Sequence, residues 1–247
     1  MRRLLLALAL IAVAVLPAAP PAEGEAGFVA TLSPDGAARG VVIGIHGGAW
    51  YGVGRELSLT VRDDLERWRR QGWHGVIVDY PKGGAAVGSV LRSYDKVRAR
   101  YPGLPVCLYG ESAGGHLALL VAAARPDVAC VETAGAPTDL EAIDPSLGPQ
   151  AAHADRNARA AFPDLRAASP ARLAIRAPLL VAHLRTDPVI GVAHAWGVEA
   201  RRRVVMEPGR VGWVHGGVSA GSMAALRRAE VAFMRSVAAP PNVNGLH

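Results

Sequence analysis

The sequence is short of cysteine, of lysine and of long apolar runs, and each shortage removes a class of protein. Only Cys107 and Cys130 occur in 247 residues. Two thiols cannot supply a four-ligand zinc site, and no histidines stand at finger spacing beside them. Both lie in apolar runs that read as strands, and the sequence leaves open whether they pair in an oxidising compartment or stay buried thiols. Lys82 and Lys96 are the only lysines, so arginine supplies the other 25 of 27 basic side chains, with a formal net charge of +6. The densest arginine runs (Arg67, Arg69 and Arg70; Arg201 to Arg203) fall in helix-like stretches without interleaved aromatics. They read as solvated faces, which argues against a nucleic-acid partner. Charged residues are 19% and hydrophobic residues 51% of the chain. That balance excludes disorder and suits one domain with one sizeable core.

After the first residues, no stretch is long and apolar enough to span a bilayer. Arg2 and Arg3 form a positive start, Leu4 to Leu16 is unbroken apolar sequence, and Pro17 to Ala26 is small and Pro-rich. That order predicts a signal peptide over 1–22, with its boundary between 18 and 26, and a secreted or periplasmic product. The rival is an uncleaved anchor. The mature chain is expected to have no stable membrane span. Residues 239–247 read as a flexible tail.

Between these ends, apolar runs alternate with helical patterns. Val41–Ile45, Gly75–Tyr80, Leu104–Tyr109, Val128–Thr133, Leu179–Leu184 and the short Val204–Met206 read as strands. Glu56–Gly72, Val87–Tyr101, Ala113–Ala124, Val192–Arg203 and Ser219–Val237 read as helices. This alternation predicts an α/β fold over 27–238: a mostly parallel central sheet with helices on both faces. Residues 138–172 break the rhythm and form a candidate helical cap. Active sites of such sheets lie at the carboxyl ends of the strands.

One motif carries nucleophile chemistry. Gly110-Glu111-Ser112-Ala113-Gly114 follows a strand and opens an apolar helix, so glycines on both sides permit a sharp turn that pushes the serine out. Chance alone gives roughly 0.1 such matches at this composition. Gly217-Val218-Ser219-Ala220-Gly221 also fits, but it follows a Gly-rich loop and leaves only His247 downstream. A serine hydroxyl needs a base. Of eight histidines, His215 lies after the last strand and before the last helix, in a loop at the carboxyl end of the sheet. Asp187, after Leu179–Leu184 and before Pro188, is the preferred acid, and Asp139 is its rival. His46-Gly47-Gly48-Ala49-Trp50 follows the first strand. Its small residues predict an oxyanion site from the N–H groups of Gly48 and Ala49 with that of Ala113.

Gly110 to His116, His46 to Trp50, Asp79-Tyr80-Pro81, Thr186 to Val189 and His215-Gly216 together resemble the α/β-hydrolase superfamily, most nearly its hormone-sensitive-lipase-like carboxylesterase branch. The resemblance runs from about Val41 to Val237. It implies an eight-stranded sheet, with one or two early strands missing because little chain precedes Val41. Ala49 stands where the usual motif has a third glycine. The expected activity is hydrolysis of a small-molecule or polymer-borne carboxylic ester by Ser112, His215 and Asp187, with no metal and no cofactor. An arylformamidase-like or dipeptidyl-peptidase-like amidase or peptidase, or a non-catalytic binding protein of this fold, are the alternatives.

Overall fold

The computed structural model describes residues 27–51 and 58–238. The candidate signal peptide, the start of the helix expected from Glu56, His247 and the expected tail lie outside the described residues. Seven strands form the main sheet: β1 (Phe28–Leu32), β2 (Gly40–Ile45), β3 (Trp73–Val78), β4 (Val106–Glu111), β5 (Cys130–Ala134), β6 (Leu179–Leu184) and β7 (Arg202–Met206). Their spatial order is β1-β3-β2-β4-β5-β6-β7. β1 runs antiparallel to β3, and the remaining neighbours are parallel.

Strand periodicity sorts the side chains to two faces. Val41, Ile43 and Ile45 of β2 and Val106 and Leu108 of β4 enter the larger core cluster. Val42, Cys107 and Tyr109 enter the cluster on the other side. Helices cover both. α2 (Ala85–Arg100) and α3 (Ala113–Ala124) bring Val90, Tyr94, Leu117 and Val121 to the first face. α1 (Arg62–Arg70) and the last helix, α5 (Ala220–Ala238), bring Leu65, Trp68, Phe233 and Met234 to the second. A sheet covered this way has no solvent face, which is why the inner strand β2 is apolar throughout.

Cys107 and Cys130 are register partners across β4 and β5, with Cα atoms 4.6 Å apart, and they form a disulfide. The alternative left open by the sequence is closed in favour of pairing.

The structure departs from the expected elements in three places. The helix expected over Val192–Arg203 is a 3-10 turn, Val192–Trp196, followed by irregular chain, with Arg202 and Arg203 already in β7. Thr138 explains the break: its N–H donates to His194 Nδ1 and its hydroxyl to the His194 carbonyl. Gly197 then passes so close under the Thr138 hydroxyl that any β-carbon would collide with it. β1 was not anticipated, because its five residues follow a glycine-rich, alanine-rich stretch without strand punctuation. The main sheet of the described residues has seven strands, one fewer than the eight of the implied fold, in line with the expected shortening. The loop expected around Gly212 is a hairpin of β8 (Pro208–Trp213) and β9 (Gly216–Val218). Residues 138–172 hold 3-10 turns and one helix, α4 (Pro149–Ala161).

Candidate active site

The site begins at the turn from β4 into α3. Ser112 takes φ 50° and ψ −122°, a conformation that L side chains rarely adopt. Strain of about 1–3 kcal/mol at such a residue persists only where its surroundings enforce it. Both flanking glycines are enforced by contact. A β-carbon on Gly114 would enter the carbonyl oxygens of Ile45 and His46, and one on Gly110 would enter the backbone of Gly114 and Gly115. The turn is also tied by Ser112 N–H to the Ala134 carbonyl at 2.8 Å.

Two loops at the carboxyl ends of other strands meet this serine. His215, at the turn of the β8–β9 hairpin with φ 61°, holds Nε2 2.9 Å from Ser112 Oγ. Its Nδ1 lies 2.9 Å from Asp187 Oδ2. Asp187, just past β6, is buried, and its Oδ1 accepts from the N–H groups of Val189 and Ile190, each at 2.9 Å. Pro188 pre-sets the turn that aims those donors. The three residues expected from three distant segments therefore stand in one line.

The rivals have other duties. Asp139 caps the turn Leu140–Ala142, accepting from Glu141 N–H, and pairs with Arg172 at 3.1 Å. Ser219 precedes α5, and its Oγ accepts from Ser222 N–H at 3.1 Å, a helix-capping contact.

The loop from His46 to Trp50 lies across the serine. A β-carbon on Gly47 would sit 3.3 Å from Ser112 Cβ. Gly48 has φ 105°, Ala49 φ 50° and Trp50 φ 59°, three successive left-handed residues. Tyr80 OH donates to the carbonyls of His46 and Gly47 at 3.0 and 2.9 Å, and its ring stacks on His46 with centroids 4.3 Å apart. His46 Nε2 is 3.0 Å from Asp79 Oδ1. The Asp79-Tyr80 pair thus braces the loop. Gly48, Thr60, Ser112 and His215 border a cleft of about 240 Å³. Ala113 opens α3 beside the serine, whereas Ala49 is not among the residues lining that cleft.

Sequence reasoning missed Gly135. It follows β5 with φ 60°, and a β-carbon there would lie 3.2 Å from His215 Nδ1 and 3.4 Å from Asp187 Oδ2. Its signal was a glycine at the carboxyl end of a strand, in a chain with 28 glycines. A buried acid–arginine network below the serine was missed too. Glu111, also bordering the cleft, accepts from Tyr109 OH at 3.2 Å. Burial pushes its carboxyl up to about 8, and the neighbouring Asp64 reinforces the shift. Glu230, on α5, accepts from Arg67 at 3.0 Å through each oxygen. Burial holds Glu132 well above the usual carboxylate range, with Glu230 adding to it. No group of three or more histidine, cysteine or acidic residues that could hold a metal occurs among the described residues. None of their helices is long and apolar enough to cross a membrane.

No protein-family model matches the chain. Over 121 residues it is 30% identical to a monoglyceride lipase of Homo sapiens, a match covering 45% of this chain and 39% of that protein. The match thus spans well under half the length of that relative. Brefeldin A esterase, a bacterial homologue of human hormone sensitive lipase, superimposes with a TM-score of 0.63 at 18% identity, covering 84% of this chain and 72% of its own. Paleococcus ferrophilus monoacylglycerol lipase gives 0.58 at 17% identity, over 84% of this chain and 98% of its own. At these identities the solved structures establish a shared fold.

Proposed function

We propose, for a chain that has the α/β-hydrolase fold and resembles the hormone-sensitive-lipase-like esterases, that it is an exported serine hydrolase of carboxylic esters. The observation that carries the reading is the line Asp187–His215–Ser112, with both contacts at 2.9 Å. A carboxylate only accepts, so the imidazole proton sits on Nδ1 and leaves Nε2 to accept from the serine hydroxyl. Ser112 Oγ attacks the ester carbonyl as His215 takes its proton. The oxyanion is held by the N–H groups of Gly48, Ala49 and Ala113. His215 then protonates the departing alcohol oxygen. Water, deprotonated by His215, attacks the acyl carbonyl, and His215 returns that proton to Ser112 Oγ as the acid departs.

The substrate is a small-molecule or polymer-borne ester, and the similarity to monoglyceride lipases favours esters of simple alcohols. The cleft is below the usual range of ligand pockets, about 300–1,000 Å³, which favours a short group against the serine. Export is supported by the order of charge and apolarity in residues 1–26 and by the Cys107–Cys130 disulfide, since such bonds persist in oxidising compartments. Residues 138–172, the candidate cap, reach the oxyanion loop through Phe162 and the Ala168 carbonyl and add no residue to the lining of the described cleft. The test is hydrolysis of p-nitrophenyl acetate and butyrate by the protein beside Ser112→Ala and Ser219→Ala. Activity lost only with Ser112→Ala is the expected result. Turnover of anilides in preference to esters would replace the esterase reading by an amidase one, and no turnover of either would leave a binding protein.

A further inference from the structure

The left-handed loop at Gly48 to Trp50 needs a restraint on its far side, and His116 provides it. Trp50 is buried, and its indole N–H donates to His116 Nδ1 at 3.1 Å. An indole N–H is a donor only, so Nδ1 must accept and the imidazole proton must sit on Nε2. His116 Nε2 accordingly donates to the Ala168 carbonyl at 2.8 Å. Burial lowers the His116 pKa to about 4, which keeps the ring neutral at ordinary pH. Phe162 packs edge-on against both rings, 5.7 Å from Trp50 and 5.2 Å from His116 by centroid. His116 also sits one turn into α3, where its N–H bonds the Ser112 carbonyl at 3.1 Å. One side chain therefore joins the nucleophile helix, the oxyanion loop and the 138–172 segment.

We propose that His116 is a positioning residue for catalysis: as the fixed Nε2–H tautomer it anchors the Trp50 indole, and through it holds the Gly48–Ala49 peptide where the oxyanion forms. The proposal rests on the oxyanion reading above. His116 touches no reacting atom and acts only through Trp50. Its loss lets the strained loop relax away from left-handed geometry, so the transition state loses a donor while the ground-state ester still binds. The mark of that role is a fall in kcat at nearly constant KM.

The test combines kinetics on p-nitrophenyl acetate with the indole N–H resonance of Trp50, for His116→Phe, His116→Asn, Trp50→Phe and the double variant His116→Phe/Trp50→Phe. His116→Phe keeps a flat ring and cannot accept. His116→Asn keeps an acceptor near Nδ1. The expected kcat loss for His116→Phe is about 10- to 100-fold, the scale of a misplaced catalytic contact, with KM within about twofold. Trp50→Phe is expected to lose a similar factor, and the double variant no more than the worse single one, because both act through one bond. His116→Asn is expected to recover most of kcat. In His116→Phe the Trp50 indole signal is expected to move upfield and exchange faster with solvent.

A folded His116→Phe protein with kcat within twofold of the parent overturns the proposal, as do fully multiplicative losses in the double variant. The resonance separates the two levels of failure. If the parent hydrolyses no ester, the esterase reading falls and the catalytic role of His116 falls with it, while a shifted indole signal still identifies the Trp50 tie as structural only. If the parent is active and only the signal moves, the positioning role alone is overturned.

Discussion

Replacing Gly135 by alanine tests how tightly the proposed acid–base pair, Asp187 and His215, is built. Gly135 follows β5 at φ 60°, where an L side chain costs about 1–2 kcal/mol relative to its preferred conformations. Alanine also restricts the unfolded chain, which returns about 0.4–1 kcal/mol. The conformational balance is therefore a loss of roughly 1 kcal/mol in stability. The contact geometry adds a second effect, aimed at function. The new methyl would sit 3.2 Å from His215 Nδ1 and 3.4 Å from Asp187 Oδ2. Asp187 is held by two backbone N–H donors and cannot yield easily, so His215, on a hairpin turn with its side chain 13% exposed, is the group that moves. A shift of a few tenths of an ångström between base and nucleophile is expected to lower kcat about tenfold, given that about 1 Å can cost about 100-fold. Urea unfolding and kcat on p-nitrophenyl acetate, measured on the same preparation, separate the two effects. A variant with unchanged kcat, whatever its stability, would refute the claim that Gly135 shapes the triad. A variant that loses several kcal/mol would mean that the backbone there cannot adapt at all.

Four further outcomes follow from the geometry. Asp187→Asn should leave the fold intact and lower kcat by about 10⁴, because the amide permits the wrong imidazole tautomer; a loss under tenfold would remove Asp187 from the acid role. Replacing Cys107 and Cys130 together by alanine opens a loop with a sequence separation of 23 and should lower unfolding free energy by about 3 kcal/mol, read by denaturant midpoint; an unchanged midpoint would contradict it. His116 and His194 both titrate near 4 in the fold, where burial disfavours their charge, against 6.5 when exposed. The unfolded chain takes up these protons first, so stability should be full above pH 6.5 and fall by about 1.4 kcal/mol per unit per histidine toward pH 4; His194→Asn should flatten that slope. Glu111 shows the opposite sign, because burial holds its proton to about pH 8 whereas the unfolded carboxyl loses it near 4.5. Its contribution is full below pH 4.5 and declines as pH rises to about 8, so Glu111→Gln should resist alkaline unfolding better than the parent.

The parts of the fold legible in the sequence are those whose signal is local. β2 and β4 are apolar runs because both their faces are buried, and the glycines at 110 and 114 announce a turn that backbone contact makes obligatory. Ser112, His215 and Asp187, which the structure brings together, are selected by the Gly110–Gly114 motif, the expected chain order and loop position. What stayed hidden depends on partners far away in the chain. Val192 to Arg203 carries helical spacing, yet Thr138, more than fifty residues earlier, captures His194 and Gly197 and ends the turn. The hairpin carrying His215 has two strands rich in glycine and exposed on most positions, so no alternation marks it. The disulfide depends on the register of β4 against β5, which no spacing reveals. Gly135 and His116 meet groups brought from other loops, and their sequence neighbours say nothing of it.

The central claim is that Ser112 is the nucleophile, and the most direct measurement is covalent. Incubation with a fluorophosphonate, followed by peptide mapping by mass spectrometry, reads which serine is activated without assuming a substrate. The expected result is one adduct per chain, on the peptide containing Ser112, lost in Ser112→Ala and much reduced in His215→Ala. An adduct on Ser219, or none on a folded protein, would contradict the claim.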